Sequence, residues 1–377
     1  MSDIFEGINL NKLILDLIHS GSVFTDIRIE EELPALWNTP DGWKVIPSSP
    51  IIAREDMFPL LKSIDADWEE SIKGGAIDRP VALNECRLRC NVSTVQGGTR
   101  ILICIRKHPL SPQKIEESEL PVRAITSMLQ RSKGLIIVTG ATGSAKTTTV
   151  ASMVNYINRS RRDHIICLEN PIEFTHTNIQ SVVTSKEMPT DFVSFDVALF
   201  EALRQAFQVL VIGEVRDRKT AEMALTASES GHLVILTMHT SSSVGALGKL
   251  LNYFPENEMR QRAQMLSSCL IGVLCQSLIP NKERDRYVLA YELLLNSINV
   301  RDKISDPTRI SDIEGVLDKS KDGFTIHMNT TLMGLLMEQK ISKESAIRAS
   351  YNPIALQDAM LKEGLLNKDD INEYGVI

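Results

Sequence analysis

Apolar and polar positions follow a mixed pattern in the first part of the chain. Near the start, apolar residues recur at helical spacing and Gly21 follows them, which predicts an amphipathic helix. These positions are Leu10, Leu13, Ile14, Leu17 and Ile18. Residues 25–30 and 43–46 alternate as half-buried strands, and 86–92 and 99–106 form a predicted hairpin around residues 96–98. We therefore predict a smaller α+β domain over residues 1–108.

The pattern changes after a polar, proline-punctuated segment at 109–121, which predicts a linker. Mostly apolar runs at 135–139, 165–169, 209–214 and 233–237, two of which end in a glutamate, then alternate with segments of helical pattern. Such runs are typical of parallel strands covered on both faces, with ligands at their carboxyl ends. Residues 122–377 are thus predicted to form an α/β domain, mostly helical from about residue 243.

The run GLIIVTGATGSAKTTTVAS at 134–152 contains a predicted strand, a glycine-containing loop and a helix that starts at Lys146. This layout is typical of a phosphate-binding P-loop, because loop N–H groups and the helix N-terminus attract an anion. Lys146 would reach the β- and γ-phosphates, and the Thr147 hydroxyl would ligate Mg²⁺. The alternative is a strand–turn–helix without a ligand. The predicted binding residues are Gly140, Ala141, Thr142, Gly143, Ser144, Ala145, Lys146, Thr147 and Thr148.

The residue before the lysine departs from the motif G-x-x-x-x-G-K-[ST], because alanine stands there as Ala145. A Cβ at this position could crowd the phosphate or resist a positive φ, at a cost on the order of 1 kcal/mol. We therefore expect Ala145 to lower the turnover rate.

Acidic residues end two of the predicted strands. Glu214 closes the run at 209–213 in the place of a Walker B carboxylate, which holds Mg²⁺ directly or through water. Glu169 and Glu173 flank a proline turn and would serve as a base or orient the attacking water. The alternative is that all three are ordinary strand-end and loop acids.

Histidines and arginines complete the candidate set. His232 and His239 bracket the run at 233–237, where an imidazole could sense the nucleotide or donate to the transition state. Phosphoryl transfer also gains from an arginine, which a neighbouring subunit can supply. A structural or surface role is the alternative for each of these residues. The candidate arginines are Arg89, Arg100, Arg106, Arg204 and Arg216.

Composition limits where the protein acts. A net charge of −7 gives no overall basic surface, so direct nucleic acid binding is not expected. The six cysteines include no C-x-x-C pair and favour buried, reduced thiols of a cytosolic protein. The first residues lack the features of a signal peptide, and no apolar window is long enough to span a membrane. We expect a cytoplasmic protein that reaches the inner membrane peripherally, through partners.

In their order and their residues, these motifs resemble those of the secretion ATPases of the type II/type IV pilus family, most of all its PilT-like retraction ATPases. GATGSAKTTT at 140–149 resembles the family's P-loop, CLENPIEFTH at 167–176 its Asp box, VLVIGEVRD at 209–217 its Walker B segment and SGHLVILTMHTSSS at 230–243 its His box. LLNYFPENE at 250–258 and LIGVLCQSLIP at 270–280 continue the similarity. The resemblance covers residues 120–355 well and residues 1–110 loosely.

The resemblance implies a PAS-like domain followed by a RecA-like ATPase domain, assembled as a cytoplasmic homo-hexamer. This ring would hydrolyse ATP with Mg²⁺ to drive type IV pilus retraction and twitching motility. Its partners would be an inner-membrane pilus or secretion platform protein and a paralogous ATPase. The residues that the resemblance assigns are Lys146 and Thr147 for phosphate and Mg²⁺, Glu169 and Glu173 in the Asp box, Glu214 in Walker B, His232 and His239 in the His box, and the amino-terminal arginines Arg89 and Arg106.

Several positions depart from the family pattern. Asn170 stands where aspartate is usual, Phe200 where arginine is common, and Ala206-Phe207 where Asp-Pro is found. With Ala145, these changes predict a divergent member with weaker ATPase activity. They keep open a weakly active accessory nucleotide-binding subunit, and the shared motifs keep open an ATPase of type IVB secretion or conjugative transfer. No zinc-type tetracysteine is present, which disfavours the extension and type II secretion branches.

Overall fold

The computed structural model describes residues 9–47, 49–83, 86–109, 111–320 and 323–367, which separate into two compact units. One unit comprises the described residues up to Ser111 together with Glu283–Arg286, and the other comprises the remainder from Pro112 onward. Among the described residues, no helix combines the length and apolar character needed to cross a bilayer. Residues 1–6, on which the expectation about a signal peptide rests, lie outside the described part.

The first unit is an antiparallel sheet with helices packed on one face. Its strands follow the order β3-β2-β1-β6-β5-β4, and buried residues alternate with half-buried ones along β5 and β6. This alternation places one face on the core and leaves the other polar, which confirms the predicted α+β class. The elements are α1 (Leu10–His19), β1 (Asp26–Glu30), β2 (Leu36–Thr39), β3 (Gly42–Val45), α2 (Arg54–Ile64), α3 (Trp68–Ser71), β4 (Ile77–Ala82), β5 (Cys86–Val95) and β6 (Arg100–Pro109).

The second unit alternates strands and helices. Its first part contains α4 (Val122–Leu129), β7 (Gly134–Gly140), α5 (Lys146–Ser160), β8 (His164–Glu169), β9 (Val182–Glu187), α6 (Phe195–Ala202), β10 (Val209–Ile212), α7 (Arg218–Glu229) and β11 (Leu233–Thr237). Its second part contains α8 (Ser243–Leu251), α9 (Glu256–Cys269), β12 (Leu270–Pro280), β13 (Tyr287–Leu295), α10 (Ile298–Ile304), α11 (Glu314–Lys319), α12 (Met328–Met337), α13 (Lys343–Ala349) and α14 (Pro353–Lys362).

The strands of this unit form one sheet in the order β13-β12-β7-β11-β10-β8-β9, parallel except for β13. Every residue of β7, β10 and β11 is buried. Leu135 and Ile137 pack in the core on one face, and Ile136 and Val138 pack in the core on the other. Burial on both faces explains the continuous apolar runs and confirms the predicted parallel sheet.

The region after residue 243 is less helical than the sequence predicts. The run at 270–280 forms β12, which pairs with β7 on one side and with β13 on the other. Gly272 lies at an irregularity in this strand, where a Cβ would come 2.8 Å from the Leu294 carbonyl oxygen. The run is uncharged throughout, and a buried strand accommodates such a run as readily as a helix does.

Part of the predicted linker folds with the second unit. Residues 112–121 belong to that unit, and Ile115 within them is fully buried. Leu289 N on β13 donates a hydrogen bond to Glu119 Oε2 at 2.8 Å. This stretch therefore covers the sheet as well as connecting the two units along the chain.

The cysteines behave as the sequence predicts. None of the six forms a disulfide, and all are buried except the half-buried Cys104. Burial raises the pKa of Cys90 and of Cys269 to about 12. At neutral pH these two side chains are therefore protonated, unreactive thiols.

Candidate active site

The P-loop sequence forms a tight turn between β7 and α5. Strand β7 ends at Gly140 and α5 begins at Lys146. Three residues of the connection have positive φ, Gly140 at 146°, Gly143 at 80° and Ala145 at 65°. The turn directs the amino end of a 15-residue helix toward the carboxyl edge of the sheet. Unsatisfied N–H groups and the helix dipole favour an anion at that position.

Gly140 is required by its surroundings. It pairs with Gln276 on β12, and a Cβ on Gly140 would overlap the Gln276 carbonyl oxygen and lie 2.5 Å from Ser144 Oγ. Gln276 is itself buried and donates from Nε2 to Thr149 Oγ1 at 2.9 Å. Glycine at 140 thus lets the loop close against β12, while Gln276 ties the first turns of α5 to the same strand.

Lys146 is almost completely buried at the start of α5, with 8% of its surface exposed. Its Nζ donates to Gly140 O at 2.9 Å and to Ala141 O at 2.7 Å, and it lies 3.5 Å from His239 Nδ1. An ammonium group can make three such bonds at once. The loop therefore encloses the Lys146 ammonium group at the position where an anion would bind.

The loop also carries a polar group that suits a phosphate. Ser144 is 3% exposed, and within the described residues its Oγ has no hydrogen-bond partner. A buried hydroxyl without a partner is uncommon and costly. A phosphate oxygen in the loop would provide the missing acceptor, so the loop residues fit a nucleotide. Thr147 and Thr148 follow as half-buried residues in the first turn of α5.

Ala145 takes the left-handed conformation that the motif normally assigns to glycine, with φ 65° and ψ 24°. We predict that Ala145→Gly stabilises the protein by about 1 kcal/mol, because a Cβ is strained at positive φ. Thermal unfolding followed by circular dichroism measures this change. As the matched control, Ala141→Gly in the same loop, where φ is not positive, should lower stability. Equal effects of the two substitutions would show that Ala145 is not strained.

Glu214 and His239 meet beside Lys146. Glu214 follows β10 and His239 follows β11, and these neighbouring strands are tied together where the Thr237 hydroxyl donates to the Gly213 carbonyl and Val215 N to Thr237 O. His239 Nε2 lies 3.4 Å from Glu214 Oε1, and Arg216 Nη2 lies 2.5 Å from Glu214 Oε2. The carboxylate, the imidazole and the lysine ammonium thus form a continuous chain at the edge of the sheet.

The electrostatics of this chain keep His239 neutral. Burial and the nearby Lys146 ammonium lower the pKa of His239 below its ordinary value, and Glu214 opposes this only in part. The arrangement assigns the ring proton to Nε2, which faces Glu214, and leaves Nδ1 to accept from Lys146. His239 is therefore a neutral hydrogen-bonding group at pH 7.

A small cavity joins the ends of three strands to α5. It has a volume of about 40 Å³, enough for water, and Thr147, Glu169 and Gly213 are among the residues that line it. His176 also lines it, and burial lowers the pKa of His176 to about 4. Glu173 lies half-buried in the segment that follows β8. The sequence argument did not select His176, although it ends the segment that carries both acids.

Mg²⁺ would have few protein ligands here. Across the described ranges, no group of three or more His, Cys, Asp and Glu side chains could hold a metal ion. This composition fits Mg²⁺ carried by a nucleotide, because such ions take one or two protein oxygens and complete their shell with phosphate oxygens and water. Thr147 and Gly213, the residue before Glu214, line the same cavity. In chemistry and placement, the predicted donors Thr147 and Glu214 thus fit such an ion.

Two predicted site residues lie away from this edge. The His232 carbonyl accepts from the N–H of Gly134, at the first residue of β7, and the His232 ring packs on Phe207 with 4.3 Å between centroids. A seven-residue strand spans roughly 20 Å, so His232 is at the opposite edge of the sheet from the P-loop. Arg204 is exposed ahead of the amino end of β10, and its guanidinium lies 4.8 Å from the Phe200 ring centre. Within this chain, neither joins Lys146.

The remaining predicted arginines are ion-paired. Arg216 holds Glu214 in the site and is largely exposed, at 74% of its side chain. In the first unit, Arg89 contacts Asp78 at 2.6 Å and Arg106 contacts Asp26 at 2.8 Å. Arg100 is paired with Glu32 in the same unit. Each of these side chains thus contacts a carboxylate.

Comparison with known families assigns most of the chain. The sequence profile of the type II/IV secretion system protein family matches residues 73–320. This range contains the P-loop, the segment after β8, Glu214 and the His239 loop.

Three curated relatives match between 57% and 80% of this chain. A twitching motility protein of Neisseria gonorrhoeae is 33% identical over 306 residues, which are 80% of this chain and 81% of the relative. The type IV pilus retraction ATPase PilT of Pseudomonas aeruginosa is 36% identical over 217 residues, which are 57% of this chain and 62% of the relative. The type IV pilus ATPase PilU of the same species is 31% identical over 69% of this chain and 67% of the relative.

Solved structures share the fold over nearly the whole chain. The pilus retraction motor PilT with bound ADP has a TM-score of 0.78 at 31% identity and matches 93% of this chain and 99% of its own. The ATPase DotB of Legionella pneumophila has a TM-score of 0.79 at 24% identity, over 92% and 96% of the two chains. The similarity to DotB concerns the fold alone.

Proposed function

Because the chain belongs to the type II/IV secretion system protein family and is an ATPase, we propose that it is the motor that retracts a type IV pilus. One observation carries the proposal. The P-loop lysine, a neutral histidine and a strand-end glutamate form one chain of contacts at the carboxyl edge of a parallel sheet. The proposed cargo, a type IV pilus, is inferred from the relatives that are named for twitching motility and pilus retraction.

ATP binding is assigned to the loop from Gly140 to Thr148. The loop N–H groups and the amino end of α5 would receive the β- and γ-phosphates, and the Ser144 hydroxyl would donate to one of their oxygens. Lys146 would exchange its bonds to Gly140 O and Ala141 O for phosphate oxygens. This exchange costs little, because the ammonium already lies within the curve of the loop.

Hydrolysis needs a positioned water and compensation of the growing charge on the phosphate. Glu169 and Glu173 would orient the water, and Glu169 already lines the water-sized cavity beside Thr147. Glu214 and Thr147 would hold Mg²⁺, which neutralises phosphate charge when bound. His239, neutral at pH 7, has one N–H donor, on Nε2, and would turn it from Glu214 to a γ-phosphate oxygen.

Arginine is proposed to come from a neighbouring subunit. Arg216 is at the site. Arg89 and Arg106 belong to the first unit, where they form ion pairs with Asp78 and Asp26. We propose that in a homo-hexamer these two arginines complete the site of the adjacent protomer, where an arginine stabilises transition-state charge. The ring would work in the cytoplasm, peripheral to the inner membrane through a pilus or secretion platform protein, alone or with a paralogous ATPase.

The shared site makes activity depend on assembly. We predict that phosphate release per subunit rises with protein concentration over the range in which size-exclusion chromatography with light scattering detects ring formation. The physical reason is that an isolated chain lacks the arginines of a neighbour. Arg89→Ala should lower activity in the assembled protein, whereas Arg79→Ala, in the adjacent strand β4 and paired with Asp65, should leave it unchanged.

A mixing experiment separates a shared site from a merely assembled one. In rings of Arg89→Ala and Lys146→Ala chains mixed one to one, about a quarter of the sites combine an intact lysine with an intact arginine. The mixture should therefore be more active than the mean of the two separate variants. If mixed rings form and are no more active than the mean of the two separate variants, or if single chains hydrolyse ATP at the full rate, the shared site is rejected.

A further inference from the structure

Outside the nucleotide site, a glutamate is completely buried at the start of two helices. Glu292 on β13 is 0% exposed. Its Oε1 accepts from Ser243 N, the first residue of α8, at 2.8 Å, and its Oε2 accepts from Met328 N, the first residue of α12, at 3.3 Å. Among the described residues, no lysine or arginine pairs with it. Two helix N-termini thus stabilise the carboxylate in place of a cation.

Tyr351 and His327 complete this cluster. Tyr351 Oη donates to Glu292 Oε2 at 2.6 Å and lies 2.6 Å from His327 Nε2. His327 Nδ1 accepts from Asn329 N at 3.2 Å, which places the ring proton on Nε2. The donors therefore run in one direction, from His327 through Tyr351 to Glu292. Burial and the charge of Glu292 raise the pKa of Tyr351, so its hydroxyl remains a donor.

The cluster is connected to the nucleotide site by a short loop. Residues 238–242 carry His239 from the end of β11 to the start of α8. The beginning of this loop is fixed to β7, because Met238 N donates to Val138 O at 3.0 Å and Thr240 N to Thr139 Oγ1 at 3.0 Å. At the other end, Glu292 holds Ser243 N. Within α8, Lys249 Nζ donates to the His239 carbonyl at 3.3 Å.

We propose that Glu292 is a positioning residue for ATP hydrolysis, which fixes the amino end of α8 and thereby the place of His239 beside Lys146 and Glu214. Tyr351 and His327 make this anchor depend on the packing of the carboxyl-terminal helices α12 to α14. A shift of those helices would thus change the position of His239 without touching the P-loop. The inference rests on the role proposed for His239 in the preceding section.

Glu292→Gln tests the anchor in the full-length assembled protein. Glutamine keeps the length of the side chain, but its amide nitrogen cannot accept from a helix N–H, so one of the two helix starts loses its partner. We expect kcat for ATP to fall about tenfold while the Kd for a fluorescent ATP analogue changes less than about twofold. Tyr351→Phe, which removes only one donor, should lower kcat by about threefold.

A double-mutant cycle distinguishes positioning from general destabilisation. If Glu292 acts through His239, adding Glu292→Gln to His239→Ala should change kcat by less than about twofold, although each substitution alone lowers it. Thr331→Val is the matched control, because Thr331 Oγ1 joins α12 to the Tyr291 carbonyl of β13 at 2.7 Å without contacting Glu292. Its kcat should match the wild type.

The outcomes separate this inference from the proposed function. Multiplicative losses in the double mutant, or a normal kcat for Glu292→Gln beside an impaired His239→Ala, would overturn the inference alone. A normal kcat for His239→Ala beside a slow Glu292→Gln would do the same. A wild-type protein without ATP hydrolysis would instead reject the proposed function. If Glu292→Gln fails to fold, Tyr351→Phe replaces it in the same cycle with the same criteria.

Discussion

Lys146→Ala is expected to abolish ATP hydrolysis, with kcat falling by at least about 10³-fold. The substitution removes the positive charge that lies inside the P-loop, bonded to Gly140 O and Ala141 O and 3.5 Å from His239. Without it, no side chain within the loop compensates the charge that develops on the γ-phosphate. Phosphate release under saturating ATP and Mg²⁺ measures the effect.

The controls separate catalysis from folding. Lys133→Ala changes an exposed lysine just before β7, whose other end, about 20 Å away, leads into the P-loop, and this variant should retain wild-type activity. Circular dichroism must show that Lys146→Ala remains folded, since its loop loses two hydrogen bonds. A folded Lys146→Ala protein with more than about a tenth of the wild-type rate would contradict the assignment of this lysine.

The core of the second unit could be predicted because the residue pattern of each strand agrees with its buried position in the sheet. The runs that form β7, β10 and β11 are buried at every position and apolar apart from Thr139 and Thr237, since helices cover both faces of the sheet. The carboxyl ends of parallel neighbours lie at one edge, so Glu214 and His239 could be expected to meet. The sequence left open whether Ala145 adopts the left-handed conformation of the glycine in the motif, and the structure shows that it does.

Other features depend on contacts that local pattern does not contain. The run at 270–280 is uncharged and suits a strand or a helix, and only its pairing between β7 and β13 decides. The family resemblance assigned His232 and His239 to one motif, but the five-residue strand between them places them at opposite edges of the sheet. The apolar pattern of β13 does not explain why Glu292 stands in it. The fold does, because it brings Ser243 N, Met328 N and the Tyr351 hydroxyl to the carboxylate as hydrogen-bond donors.

Glu214→Gln is expected to separate ATP binding from hydrolysis. Glutamine has nearly the same shape, and its carbonyl oxygen can still accept from His239 Nε2, now 3.4 Å from the carboxylate. The charge that pairs with Arg216 and would hold Mg²⁺ or its water is lost. We predict that kcat falls about 10²- to 10³-fold while the affinity for ATP changes by less than about threefold. Single-turnover phosphate release and nucleotide binding measure the two quantities.

This separation is what assigns Glu214 to the chemical step. Glu258→Gln is the matched control, because Glu258 is also a half-buried glutamate paired with an arginine, Arg218 at 2.7 Å, but it lies on α9. It should hydrolyse ATP at the wild-type rate. Loss of binding and turnover to the same extent in Glu214→Gln would instead mean that the carboxylate supports the nucleotide pocket as a whole. A normal turnover would remove Glu214 from the mechanism and leave Glu169, which lines the same cavity as Thr147, as the candidate acid.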